Sequence, residues 1–267
     1  MFCVLLSALC VSKKISYNTL KLVYLSAAGR VVNRLYLILL LLAIPSLAET
    51  IRVALPSEGN PPYSYSDISQ PKGIYVELFN TLFESTPYQI EYVYLSSARI
   101  RKEFKKNAID IECCPLPTWR KGEEDYSYYS NVAFTTEDIY IFPKNKVPSF
   151  VSLTDKQIAT VSGYGYLHDD KFSRIDFNSE FSILRMVASQ RVEMGIVDRY
   201  IADHLIETKG LTVDLGPVHE KASRPIRVHK NKKHILPELN KAIARLKRDK
   251  KIKKIFVQHG INNRNNL

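Results

Sequence analysis

Short apolar runs alternate with amphipathic helical stretches along most of this chain, and that alternation leaves few folds open. The run IRVAL (51–55) ends at the polar, proline-rich loop SEGNPPYSYSD (57–67). Residues 73–86 then place Ile74, Leu78 and Leu82 in one row and Tyr75, Phe79 and Phe83 in the next, which predicts a helix. Ile90, Tyr92 and Tyr94 alternate as in a strand, Ser96 or Ser97 is set to cap a short helix carrying Ile100 and Phe104, and 108–114 reads as the next strand. A second series repeats the theme. A strand at 157–161 leads into the loop SGYGY, followed by a helix at 181–188 and a strand at 194–198. A helix at 199–208 is closed by Gly210, and a last helix spans 236–256. Strands joined through helices in this spacing predict an α/β protein built on mainly parallel sheets.

The N-terminal segment predicts export. Arg34 precedes the apolar run LYLILLLLAIPSLA (35–48), which ends in Ser46-Leu47-Ala48, the small-x-small pattern of a cleaved secretory signal peptide. At about a dozen apolar residues the run is shorter than the roughly 20 a membrane-spanning helix needs. The expected mature chain begins at Glu49, with the signal peptide at about 32–48 and residues 1–31 upstream of the expected translation start. Export leads to the periplasm.

The formal net charge of +11 invites a nucleic-acid reading, yet its distribution argues against one. Residues 1–48 carry five basic residues and no acidic one. The stretch 221–254 carries fourteen basic residues against Glu238 and Asp249, and the remainder is net acidic. The lysines of 245–254 alternate with a hydrophobic row, so they read as the solvated face of a helix. Of four cysteines, Cys3 and Cys10 fall in the leader. The adjacent pair Cys113 and Cys114 has neither a disulfide-framework nor a zinc spacing and reads as two small apolar side chains at a strand end. The six histidines show no metal spacing. No cofactor and no metal are expected.

Several stretches, in order, resemble the bacterial extracellular solute-binding proteins of family 3, the polar amino-acid group of type II periplasmic binding proteins. They are IRVAL, GIYVELF (73–79), AIDIECCPLPTWR (108–120), VSGYGY (161–166), ASQRVEMGIVDRY (188–200) and PIRVHKNKKHILPELNKAIARLKRDKKIKKI (225–255). The resemblance implies a two-lobed fold, each lobe a mainly parallel sheet flanked by helices, with two crossover strands as hinge, near 138–144 and 222–229. Lobe one is then 49–141 plus 230–267, and lobe two is 142–229 including the return hinge strand. The solute would lie between the lobes, at the carboxyl ends of the strands.

What such a site needs follows from charge. A closing cleft strips water from a zwitterion, so each ligand charge requires a partner. The resemblance puts Arg120 on the carboxylate, with Thr118 adding a hydroxyl and an amide. The N–H groups of Gly163, Tyr164 and Gly165 would form an anion-binding nest. Asp198 would meet the ammonium group, although it also stands where it caps the following helix. Tyr63, Tyr65 and Trp119 would stack on the solute. The family pattern Thr-x-Glu-Arg is altered here to Pro117-Thr118-Trp119-Arg120, which drops the glutamate and shifts the threonine.

The implied function is capture of a small polar solute, an amino acid or similar carboxylate, by a monomer that closes two lobes and serves a membrane permease of the ABC type or a sensor. Neither an enzyme nor a nucleic-acid partner is expected. The alternative is an enzyme on the same fold, a dehydratase acting on a small cyclic acid, with a general acid drawn from Glu112 or His168.

Overall fold

The computed structural model describes residues 48–261, so the signal-peptide reading lies outside the described residues. Strand β1 (Glu49–Pro56) starts at the first residue of the expected mature chain, and its Ile51, Val53 and Leu55 are fully buried. Helix α1 (Ile74–Phe83) buries Ile74, Leu78 and Leu82 along the expected row, with Phe79 and Phe83 beside it. It starts at Gly73 for a steric reason. The backbone there has φ of 116°, and a Cβ would lie 2.5 Å from the carbonyl oxygen of Tyr63. Strand β2 (Tyr88–Leu95) pairs in parallel with β1, and helix α2 (Ser97–Lys105) turns Ile100 and Phe104 inward. Strand β3 (Ile111–Cys113) joins β1 in parallel on its other side.

The second series has the same construction. Strands β5 (Gln157–Val161), β6 (Ser173–Phe177) and β7 (Gly195–Asp198) pair in parallel. Helix α3 (Glu180–Ala188) follows β6, and helix α4 (Arg199–Lys209) follows β7 and ends at Gly210, whose φ of 63° suits glycine. Among the described residues no helix is long and apolar enough to cross a membrane.

Two strands of 17 residues tie the series together: β4 (Ser127–Pro143) and β8 (Val213–His229). They pair antiparallel with each other from Ser127 opposite His229 to Pro143 opposite Val213. β8 also borders β3, and β4 also borders β7. The eight strands therefore form one ladder in the order β2-β1-β3-β8-β4-β7-β5-β6. Three parallel strands stand on each side, with the antiparallel pair between them. This is the mixed sheet with flanking helices of the two-lobed periplasmic-binding-protein architecture. The β4–β8 register slips at several points between Tyr129 and Ile141. Bulges of this kind twist and bend a ribbon.

Three local expectations are corrected. The stretch 236–256 is two helices, α5 (Leu236–Arg248) and α6 (Lys251–Gln258), because Lys250 adopts a left-handed conformation with φ of 54°. No apolar residue at 249–251 holds the helix face to the core across that break. Strand β6 was not expected; its SRIDF pattern is half-buried and offers a weak apolar signal. Cys113 and Cys114 are joined as a disulfide rather than standing as two separate thiols.

Candidate functional site

The carboxyl ends of β1, β3, β5 and β7 converge on one crevice, bounded on its floor by the β4–β8 ribbon. It encloses a cavity of about 70 Å³, room for a few water molecules or a ligand of few heavy atoms. The helix-first loops after each strand deliver the polar groups, as is general for open α/β sheets.

Of the residues expected from sequence, Arg120, Asp198, Tyr63, Trp119 and Tyr164 line this crevice together. Thr118 is exposed, and Tyr65 packs edge-on to His204; neither lines it. Gly163 sits against α2 instead of the cavity. A Cβ there would lie 2.7 Å from the Cα of Ala98, so it permits close approach of two backbones. Gly165 does the same under Trp119, where a Cβ would come within 2.5 Å of the tryptophan Cβ. Both glycines let the loop after β5 close against elements that precede β4.

Further hydrogen bonds cross the crevice. Asn60 Nδ2 donates to Glu180 Oε2 at 2.8 Å and to the Tyr164 hydroxyl at 3.3 Å. The Tyr63 hydroxyl donates to the Asp198 carboxylate at 3.2 Å, and Trp119 Nε1 donates to Glu220 at 3.1 Å.

Two buried ion groups make up its electrostatics. In the first, Glu112 lies between two guanidiniums: Arg120 Nη2 at 2.5 Å and Arg227 Nη1 at 2.6 Å. Arg227 also reaches Glu123 at 2.5 Å, and Glu123 takes a further bond from Arg101. Burial alone would raise the Glu112 carboxyl, but Arg120 and Arg227 outweigh it and hold it below the usual range. Glu112 stays ionised, and His168 is exposed outside the lining, so neither is placed as a general acid in the crevice.

The second group is unbalanced. Arg224 Nη2 lies 3.0 Å from Asp138 and 3.8 Å from Asp198, its Nε donates to Thr136, and its guanidinium covers the Trp119 ring at 4.5 Å. Asp198 caps α4 by accepting from the N–H groups of Tyr200 and Ile201, so it serves the helix and faces the crevice at once. Glu180 accepts from the backbone N–H of Asp198 at 2.6 Å. Burial, then the Asp198 charge, pushes Glu180 up to about 8. Burial likewise lifts Asp198 to about 6 against the pull of Arg224, and raises Asp138. Asp138 and Asp198 hold Arg224 charged despite its burial.

Arg224, Glu180 and Asp138 were not anticipated as site residues, and Glu112 was named only as a general acid of the alternative reading. Glu180 sits directly after the capping Ser179 and reads as an ordinary first-turn acid. Arg224 lies in the expected return hinge strand near 222–229, where it had no role, and the pairing with β4 brings it onto Asp138. Among the described residues no group of three His, Cys, Asp or Glu is placed to hold a metal ion.

The family model for bacterial extracellular solute-binding proteins, family 3, matches residues 51–261. No curated protein matches the chain. Among solved structures, the chain is similar to the GluR0 ligand-binding core from Nostoc punctiforme in complex with L-glutamate. That pair shares 14% identity at a TM-score of 0.66, covering 80% of this chain and 99% of the other. An arginine transport-system periplasmic binding protein from Legionella pneumophila matches with 14% identity, TM-score 0.67 and coverage of 79% and 99%. A histidine kinase sensor domain with similarity to periplasmic binding proteins matches with 15% identity, TM-score 0.68 and coverage of 79% and 96%. At these identities the likeness speaks for the fold.

Proposed function

Since the chain belongs to the bacterial extracellular solute-binding proteins of family 3, we propose that it captures a small polar solute by closing two lobes over the crevice and delivers it to an ABC-type permease or a sensor. It acts as a monomer, binds no nucleic acid and carries out no chemistry on the solute. The leader is a signal peptide cleaved before Glu49, which leaves the mature protein in the periplasm. Lobe one comprises 49–141 plus 230–267 and lobe two 142–229, and the irregular β4–β8 register is where the hinge bends.

The carrying observation is the set of contacts that seal the crevice. Asn60, Tyr63 and Trp119, all before β4, reach Glu180, Asp198 and Glu220, all beyond it. Contacts that exist only on closure are what a bound solute reinforces, because it shifts the population toward the form it binds better. Arg120, Asp198, Tyr63, Trp119 and Tyr164 face the solute. Thr118, Tyr65 and Gly163 support the surrounding loops. A small solute bearing an amine is favoured by the glutamate and arginine named for the similar structures.

Trp119 is the only tryptophan in the sequence and lines the crevice, so its fluorescence reports on the site without a label. A screen of the chain from Glu49 against amino acids, amines and organic acids is expected to yield a solute that both raises Tm and changes Trp119 emission saturably. A solute that raises Tm while leaving that emission unchanged, or one recovered as a new product, overturns the reading.

A further inference from the structure

We infer that the crevice is built for a small organic cation that carries no carboxylate. This rests on the solute-binding reading above and narrows it.

The first argument is that Glu112 already fills the Nε–Nη2 edge of Arg120, the edge that grips a carboxylate with two parallel hydrogen bonds. Arg120 Nη2 and Nε face Glu112 at 2.5 and 3.3 Å, and its Nη1 donates to the Trp119 carbonyl at 3.1 Å. A carboxylate-binding arginine needs its fork open toward the ligand. Here a protein carboxylate already occupies that fork, and Arg227 locks it in place from the other side. An incoming carboxylate would meet the Glu112 oxygens at the cost of two desolvated like charges. Arg224 has its Nε–Nη2 edge filled in the same way, by Thr136 and Asp138, with Trp119 over its face.

The second argument is the surplus of acid on the other wall. Asp138, Glu180 and Asp198 face one cation, Arg224, and Glu220 stands at the edge beside Trp119. An uncompensated buried carboxylate is costly, so the empty site must take up protons or a cation. The three carboxylates are not arranged as metal ligands. The cavity of about 70 Å³ admits a group the size of an ammonium on a short carbon stem. The rings of Tyr63, Tyr75 and Tyr164 line the same space and suit the apolar stem of an amine.

A consequence is proton linkage at Glu180. The groups around it are Asp198 on β7, Asp138 on β4, Arg224 on β8, Asn60 in the loop after β1, and Tyr164 and Tyr166 in the loop after β5. Their balance keeps Glu180 protonated up to about 8 in the empty protein. A cation beside it favours ionisation, so binding releases the proton, and affinity rises with pH until about 8 and then levels.

Calorimetry on the chain from Glu49 tests this with two matched probes, 1,4-diaminobutane and 4-aminobutanoate, plus L-alanine. They share an amine and differ in whether a carboxylate accompanies it. The diamine is expected to bind at least about tenfold more tightly than either zwitterion. Its binding heat at neutral pH should vary with the ionisation heat of the buffer, showing proton release by the unmodified protein. Glu180→Gln should abolish that buffer dependence. Tighter binding of 4-aminobutanoate or L-alanine, or diamine binding with no proton released, overturns the cation inference alone, since the solute-binding reading survives. Should no amine, amino acid or organic acid alter Trp119 fluorescence, the solute-binding reading falls as well.

Discussion

The two buried ion groups on the crevice walls hold similar residues and behave in opposite ways. Around Glu112 the buried charges balance: Arg120 and Arg227 on one carboxylate, Glu123 on the far side of Arg227 with the more exposed Arg101 reaching it from outside, and the Ser127 hydroxyl accepting from Nε and Nη2 of Arg227. Arg227 is fully buried, with Phe104 against its face at 4.0 Å. Around Glu180 they do not balance, since Asp138 and Asp198 share Arg224 while Glu180 is met by the neutral Asn60 and the Asp198 N–H. The contrast teaches how to separate structural from functional burial of charge. A satisfied network fixes the fold, whereas a surplus is held in place by surrounding packing until something neutralises it.

Breaking the balanced group should have the largest effect. Glu112→Gln leaves Arg120 and Arg227 facing each other in a dry interior and is expected to destabilise the protein by about 3–5 kcal/mol, measured by denaturant unfolding. The same kind of substitution in the unbalanced group should act in the opposite sense. Glu180→Gln removes a surplus charge while keeping an oxygen for the Asp198 N–H, and is expected to stabilise the empty protein by about 1–3 kcal/mol at alkaline pH. Equal destabilisation by both would erase the distinction.

The pH dependence sharpens it. Glu180 is raised from 4.5 to about 8 on folding, so the folded state binds the extra proton, and stability is lost as pH climbs through that interval. Asp198, raised from 3.8 to about 6, acts in the same direction at lower pH. Glu112 is lowered, so its contribution is present above 4.5 and is lost as acid reprotonates it. Tm of the empty protein should therefore decline toward pH 8, and Glu180→Gln should flatten that limb while leaving the acid limb in place.

Smaller effects test closure and the surface. Gly165→Ala puts a methyl group against Trp119 and should weaken solute binding by about 1–2 kcal/mol with a lesser change in Tm of the empty form. Lys144→Ala removes an exposed pair with Asp214 and should shift stability by less than about 0.5 kcal/mol.

Much of the fold was legible. Helix α1 shows its buried rows in the residues themselves, and Gly210 marks the end of α4. The long strands β4 and β8 were read only at their crossings, because bulges and polar stretches such as Thr135, Thr136, Glu137 and Asp138 interrupt the alternation that announces a strand. The site was legible where a residue follows a strand end, as with Arg120 and Asp198. It was hidden where pairing between strands distant in sequence creates it. Arg224 acquires its meaning from Asp138, 86 residues away, and Glu180 from Asn60, 120 residues away. No local pattern carries that information.

Residue-resolved titration of the glutamate side-chain carboxyls by carbon NMR, on the empty protein, tests the account most directly. Glu112 should remain ionised to below the ordinary carboxylate range while Glu180 titrates near 8, then loses its proton when solute is added. Finding both carboxyls titrating together in the ordinary range, unmoved by solute, would contradict it.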